Sequence, residues 1–229
     1  MIVIKEKSFE EIQKMVEGYK KILVVGCDGC AGIYQVGGEK QAEVMTMLLK
    51  MAMRLKDSEI ETKAISVLRQ CDRQIVASTI RPLVNDYDAI LSMACGVGVQ
   101  TLAEVFGNKP ILPANDTKFI GMQDKESGKF YELCSACGEC ILFETAAICP
   151  ITRCSKGLLN GPCGGCIEGK CEVPYEIIKD EKGNIVKTID KDCAWYLIYN
   201  KLNKEGRLDQ FRKYRPPRNR AISTSPRQL

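Results

Sequence analysis

The sequence contains no histidine. That absence removes the commonest zinc partner, the commonest general base and any Ser-His or Cys-His nucleophile pair. Long apolar runs are missing too, and no stretch approaches the roughly twenty apolar residues that span a bilayer. The opening MIVIKEKSFEEIQKMVEGYK lacks the apolar segment of a signal peptide and predicts a strand followed by an amphipathic helix. Aromatic residues amount to 7%, with one tryptophan, and they are scarce around the basic end of the chain. That scarcity argues against a base-stacking surface, so neither nucleic acid nor membrane is expected among the partners. The expected setting is a reducing cytoplasm.

What the chain has in abundance is cysteine: thirteen in 229 residues, nine of them between Cys134 and Cys193. An odd number of thiols argues against a disulfide framework. The apolar fraction of 45% suffices for an ordinary core, so the cysteines are not needed as staples. Thiolates at short spacing are what iron–sulfur clusters require and what structural zinc also uses. The net charge of +4 is uneven. From Lys201 onward nine Lys or Arg face only Glu205 and Asp209, so that segment carries +7 and the rest of the chain −3. A basic tail follows a mildly acidic body.

The two halves follow different patterns. In the first, strand-like runs at KILVVG (21–26), TKAISVL (62–68), DAILSMA (88–94) and KPILPA (109–114) alternate with helical segments at 39–56, 74–85 and 98–106. Such alternation predicts right-handed βαβ units on a parallel sheet. The expected class is α/β, a Rossmann-like, flavodoxin-like parallel sheet domain followed by a small cysteine-rich metal-binding domain. The boundaries read 1–124 for the α/β domain, 125–210 for the cysteine-rich iron–sulfur domain and 211–229 for a basic tail that docks a partner. Residues 175–189 read as a hairpin about Lys182–Gly183–Asn184, and a helix is expected near 192–204. A metal rather than an apolar core has to organise residues 130–171.

Cys27 and Cys30 form CDGC directly after the first parallel strand, Cys71 follows the second, and Cys95 ends the third. Segments leaving the carboxyl ends of parallel strands gather at one edge, where such folds place ligands. Four scattered cysteines thereby become one expected four-thiolate metal site: Cys27, Cys30, Cys71 and Cys95. The competing reading keeps Cys71 and Cys95 as structural thiols and Cys27–Cys30 as a thioredoxin-like redox pair. No GxGxxG lies in the right frame, so a dinucleotide loop is excluded here. Asp28 and Asp72 read as turn residues rather than catalysts, and no catalytic residue is assigned.

Further along, Cys134, Cys137 and Cys140 form CxxCxxC, a spacing that lets one loop supply three thiolates to a single cluster. Cys149 precedes Pro150, and Cys154, Cys163, Cys166 and Cys171 complete a second set of ligand candidates. Spacing does not say which cysteine serves which metal, and a zinc-ribbon-like knuckle at Cys163–Cys166 stays open. Cys193, read as lying in the late helix, is the spare thiol.

At GCDGC, at CSACGEC with its downstream AICP, and above all at LLNGPCGGCIEGKCEV, the chain resembles the MetV-type iron–sulfur and zinc subunit of acetogen methylenetetrahydrofolate reductase. That family carries the methylenetetrahydrofolate reductase C-terminal domain. The resemblance implies 4Fe-4S clusters, two or more, with zinc as a further candidate. It also implies a flavin-containing TIM-barrel reductase subunit as partner, beside which electron-donor subunits can stand. The implied role is electron relay toward that flavin, in the methyl branch of the Wood–Ljungdahl pathway, where methylenetetrahydrofolate becomes methyltetrahydrofolate. The alternative is a structural zinc-binding assembly module without a redox role.

Overall fold

The structure, a computed structural model, describes residues 1–223 and Arg227. It divides into two compact units, Met1–Phe130 and Tyr131–Leu229.

The first unit is built on four parallel strands: β2 (Lys21–Cys27), β3 (Glu61–Val67), β4 (Ala89–Ser92) and β5 (Ile111–Pro113), in the order β3-β2-β4-β5. Before them come β1 (Ile2–Glu6) and α1 (Phe9–Val16). Between them run α2 (Cys30–Ile33), α3 (Glu39–Arg54), α4 (Arg73–Ile80), a 3-10 turn at Val84–Asp86 and α5 (Gly96–Val105). Strands covered on both faces lose the alternation of a half-exposed strand. That is why β4 is buried throughout and β2 from its second residue onward. Ile22, Val24, Leu91 and Met93 point into a core shared with Ile12, Val16, Ala42, Met45 and Leu49 of α1 and α3. Leu23, Val25 and Ile90 point the other way, toward Val76 and Ile80 of α4 and Leu102 of α5. The parallel α/β reading is thereby borne out strand by strand.

After β2 the chain passes to β3 on one side, then returns across to β4 on the other. The gap between the carboxyl ends of β2 and β4 is therefore the topological switch point, the crevice where open α/β sheets receive ligands. A second sheet, of order β1-β6-β7, adds β6 (Asn115–Asp124) and β7 (Lys129–Cys134), with β1 antiparallel to β6.

The second unit has little regular structure before its end: α6 (Pro150–Arg153), then the two-residue strands β8 (Cys166–Ile167) and β9 (Lys170–Cys171). The expected hairpin is present as β10 (Glu176–Lys179) antiparallel to β11 (Ile185–Ile189), and it is almost wholly exposed. α7 (Ala194–Lys204) and α8 (Leu208–Arg212) follow. The apolar core here is small: Ala146, Cys193, Trp195, Ile198 and Leu202.

The tail begins by packing on its own unit. Phe211 sits edge-on to Trp195 and Tyr199. Arg215 is 5% exposed and holds the Glu144 carboxylate at 2.9 Å and the Gln210 carbonyl at 2.9 Å. Its backbone exchanges hydrogen bonds with the Asn160 amide, and its guanidinium lies 5.5 Å from the Trp195 ring. Of the tail expected at 211–229, residues 224–226 and 228–229 lie outside the described residues.

Candidate metal centres

β2 ends on Cys27, a sulfur placed at the switch point because the strand stops there. It packs with Ile4, Ala31, Ala94 and Cys95, the last of these the residue that caps α5 after β4. Burial pushes the Cys27 thiol up. The backbone N–H groups of Gln70 and Gly29 oppose that shift, and the thiols of Cys95 and Cys71 reinforce it. Cys71 and Cys95 are thus each within electrostatic reach of Cys27. Cys30 opens α2, and its sulfur accepts the Ile2 N–H at 3.4 Å. Among the described residues, no three His, Cys, Asp or Glu side chains close to metal-coordinating spacing.

The loop bearing Cys71 is fixed by a residue that sequence reasoning passed over. Gln70 is fully buried. Its amide donates to the carbonyls of Val25 at 2.8 Å and Gly26 at 2.9 Å, and its oxygen accepts from the Ser92 hydroxyl at 2.6 Å. One side chain therefore ties the loop after β3 to the ends of β2 and β4. Within the polar run Arg69–Arg73, nothing in the sequence singled it out from its neighbours. Asp28 and Asp72 are helix caps: Asp28 accepts from the Glu39 N–H of α3 and from Ser66, and Asp72 accepts from Gln74 and Ile75 of α4. Gly37 is required because a Cβ there would overlap the Met93 carbonyl.

This edge has the chemistry of a sulfur-rich group's pocket. Its donors are thiols, N–H groups reach Cys27 and Cys30, and the buried Tyr34 hydroxyl has no partner among the described residues. Burial, with the Cys30 thiol as a lesser cause, pushes the Tyr34 phenol up. Amide and hydroxyl donors to sulfur are what such sites use to tune a metal. Around the rim, Ile33 (55% exposed), Leu68 (63%) and Val97 (54%) stand open, one beside each cysteine-bearing loop.

In the second unit, Cys134, Cys137 and Cys140 occupy one loop, with the Cys134 sulfur accepting the Ala136 N–H at 3.4 Å. Gly138 in that loop adopts φ +86, a left-handed conformation that glycine tolerates at no cost. The basic tail reaches the same loop: Arg218 donates to the Cys137 carbonyl at 2.9 Å and Arg227 to that of Ala136 at 2.8 Å. Cys149 caps α6, with Pro150 at its first position. Cys163 receives the Lys156 ammonium at 3.7 Å.

Cys166 and Cys171 are opposed across β8 and β9. The Cys193 N–H donates to the Gly169 carbonyl, and the Cys171 N–H donates to the Lys191 carbonyl. Those bonds bring the spare thiol home. Cys193 is buried, caps α7 instead of lying within it, and joins Cys154 and Cys166 around Trp195. Burial and a hydrogen bond with Cys193 push the Cys166 thiol up. Cys193 is therefore a ligand candidate that spacing alone did not reveal. Its signal was its place one residue ahead of a helix.

Comparison with known proteins is sparse. The crystal structure of an extracellular ligand-binding receptor from Verminephrobacter eiseniae ef01-2 aligns with 45% of this chain at 14% identity and TM-score 0.33. The chain spans 28% of that receptor's length, and the likeness carries no argument. The search of curated proteins returned no match. Among the described residues, no helix is long and apolar enough to cross a membrane. Residues 112–221, which include every cysteine of the second unit, match the family model described as methylene-tetrahydrofolate reductase C terminal, and this part of the chain is thereby related to that family.

Proposed function

We propose that the chain is an electron-transfer iron–sulfur subunit of a methylenetetrahydrofolate reductase complex. It relays electrons to the flavin of a TIM-barrel partner that reduces methylenetetrahydrofolate to methyltetrahydrofolate. The observation that carries this reading is the match over 112–221, which spans the run of nine thiols. Thiols converging on the switch point of the first unit support it. When bound, an iron–sulfur cluster supplies a one-electron site whose potential follows its hydrogen bonds and exposure.

The chain's own part is ligation and shielding. Cys134, Cys137, Cys140, Cys149, Cys154, Cys163, Cys166 and Cys171 are the cluster ligands proposed for the second unit, with Cys193 joining the candidates. Cys27, Cys30, Cys71 and Cys95 are the metal ligands proposed for the first. The N–H groups of Gln70, Gly29, Ile2 and Ala136 temper the sulfur charge. The apolar rim of Ile33, Leu68 and Val97 is a dry face for a redox partner. In the tail, exposed Tyr214 is left to meet the reductase once Arg215 has anchored the segment.

Iron, acid-labile sulfide and zinc per chain, measured on anaerobically purified protein, test the proposal. About eight or more irons with matching sulfide are expected, by the count of four irons per four-thiolate cluster. Cys137→Ser should lower the iron and slow reduction of the flavin partner. Zinc alone, with no visible absorption, would leave a scaffold and end the relay reading.

A further inference from the structure

α3 carries two apolar faces. Ala42, Met45, Leu49, Ala52 and Met53 are buried in the core of the first unit. Val44 (54% exposed), Met47 (60%), Leu48 (40%), Met51 (62%) and Leu55 (87%) recur at helical spacing on the opposite side and stand in solvent. A surface helix of a globular protein normally places charged residues there. Methionine-rich apolar stripes of this kind suit protein contacts, because the unbranched thioether adapts to the surface it meets.

The charges around the stripe say what covers it. Glu43 flanks it near one end and Arg54 flanks the same edge about three turns further on. Further out the signs reverse, with Lys40 in the first turn and Asp57 just beyond the helix's end. None of these four side chains makes an ion pair among the described residues. Laid antiparallel on a copy of itself, with the two-fold axis near Leu48, the helix places each Glu43 beside the other copy's Arg54. A two-fold interface needs a self-complementary patch of this kind.

We infer that α3 is the seam of a homodimer, a second copy of this chain packing its Val44–Leu55 stripe antiparallel against the first. The helix is complete before the partner arrives, so association costs little ordering. The opposed charges fix direction and register, as flanking charges do in paired helices.

Sedimentation of the full chain between about 1 and 100 µM tests this, a range that brackets micromolar affinity. A concentration-dependent dimer is expected. Met51→Glu changes a solvent-exposed residue, so it should leave the circular dichroism spectrum intact and weaken association about tenfold or more. Glu43→Arg and Arg54→Glu should each weaken the dimer, and the two together in one chain should restore it, because the pair is remade across the axis. A monomer at 100 µM, or a double variant no better than either single one, overturns the inference. So does a chain that is monomeric alone but loses a copurifying reductase on Met51→Glu, since the stripe would then belong to a different protein.

Discussion

Gln70 shows how much one residue can arrange. It has no charge, no metal-binding atom of note and no place in any motif, yet its three hydrogen bonds join three strand ends. Gln70→Ala leaves two carbonyls and a hydroxyl to find new partners in a buried place. Each buried polar group left unmet costs about 1–3 kcal/mol. The variant is expected to lose roughly 3 kcal/mol in denaturant unfolding of the first unit. If the proposed thiol sites hold metal, the variant should also lose it at Cys27, Cys71 and Cys95 while the cysteines of the second unit keep theirs. A variant of unchanged stability and metal content would show that the loop holds its shape without the amide. Buried polar pins of this kind escape sequence reading because nothing in a loop announces which polar side chain turns inward. The strand-end cysteines were legible because β2 and β4 are runs of buried residues and β3 an alternating strand, each followed closely by its cysteine: Cys27 ends β2, Cys71 comes four residues after β3 and Cys95 three after β4.

At the scale of elements, the docked tail and its partner Glu144 are the informative pair. The Lys213 ammonium, by hydrogen bond, and then Arg215 hold the Glu144 carboxyl below the ordinary carboxylate range. A carboxyl depressed in the folded state stabilises it at pH above its ordinary value near 4.5, and that contribution disappears as pH falls through the depressed value. Trp195, the single tryptophan, lies beneath Arg215 and reports the event. Tryptophan emission is therefore expected to change on acidification below about pH 4.5, and Glu144→Gln should flatten that part of the titration. An identical acid transition in both proteins would assign the change to other groups. The sequence announced a tail rich in arginine but not where it goes, since a proline-bearing basic segment looks the same docked or free. The hairpin of β10 and β11, by contrast, was readable from the turn residues Lys182–Gly183–Asn184. The pairing of β1 with β6 was not, because its partners lie more than a hundred residues apart.

At the scale of the molecule, the two units differ in what holds them. The first has an apolar layer on each face of a four-stranded sheet, while the second has one apolar cluster of five buried residues, a cation anchored beside it and nine thiols. A small unit short of core depends on metal or other cross-links for its stability. Anaerobic treatment with an iron or zinc chelator is expected to expose residues 131–223 to protease while leaving a resistant fragment near 1–130. Equal sensitivity of both regions would mean that metal does not sustain the second unit. Composition made that contrast visible early, because turn residues and cysteine replace periodic apolar residues after the first unit.

Arg218 reaches back across the sequence to the carbonyl of Cys137, and Arg215 to Glu144. This gives the protein a timetable. During translation the first unit can fold on its own once about 130 residues have cleared the ribosome, as amino-terminal domains generally do. The loop from Cys134 to Cys140 then emerges without the arginines that later clasp it. It stays open until Arg218 and Arg227, some eighty to ninety residues further on, have emerged as well. A metal bound there as proposed would therefore have a natural interval for entry, from the emergence of Cys140 to that of Arg218.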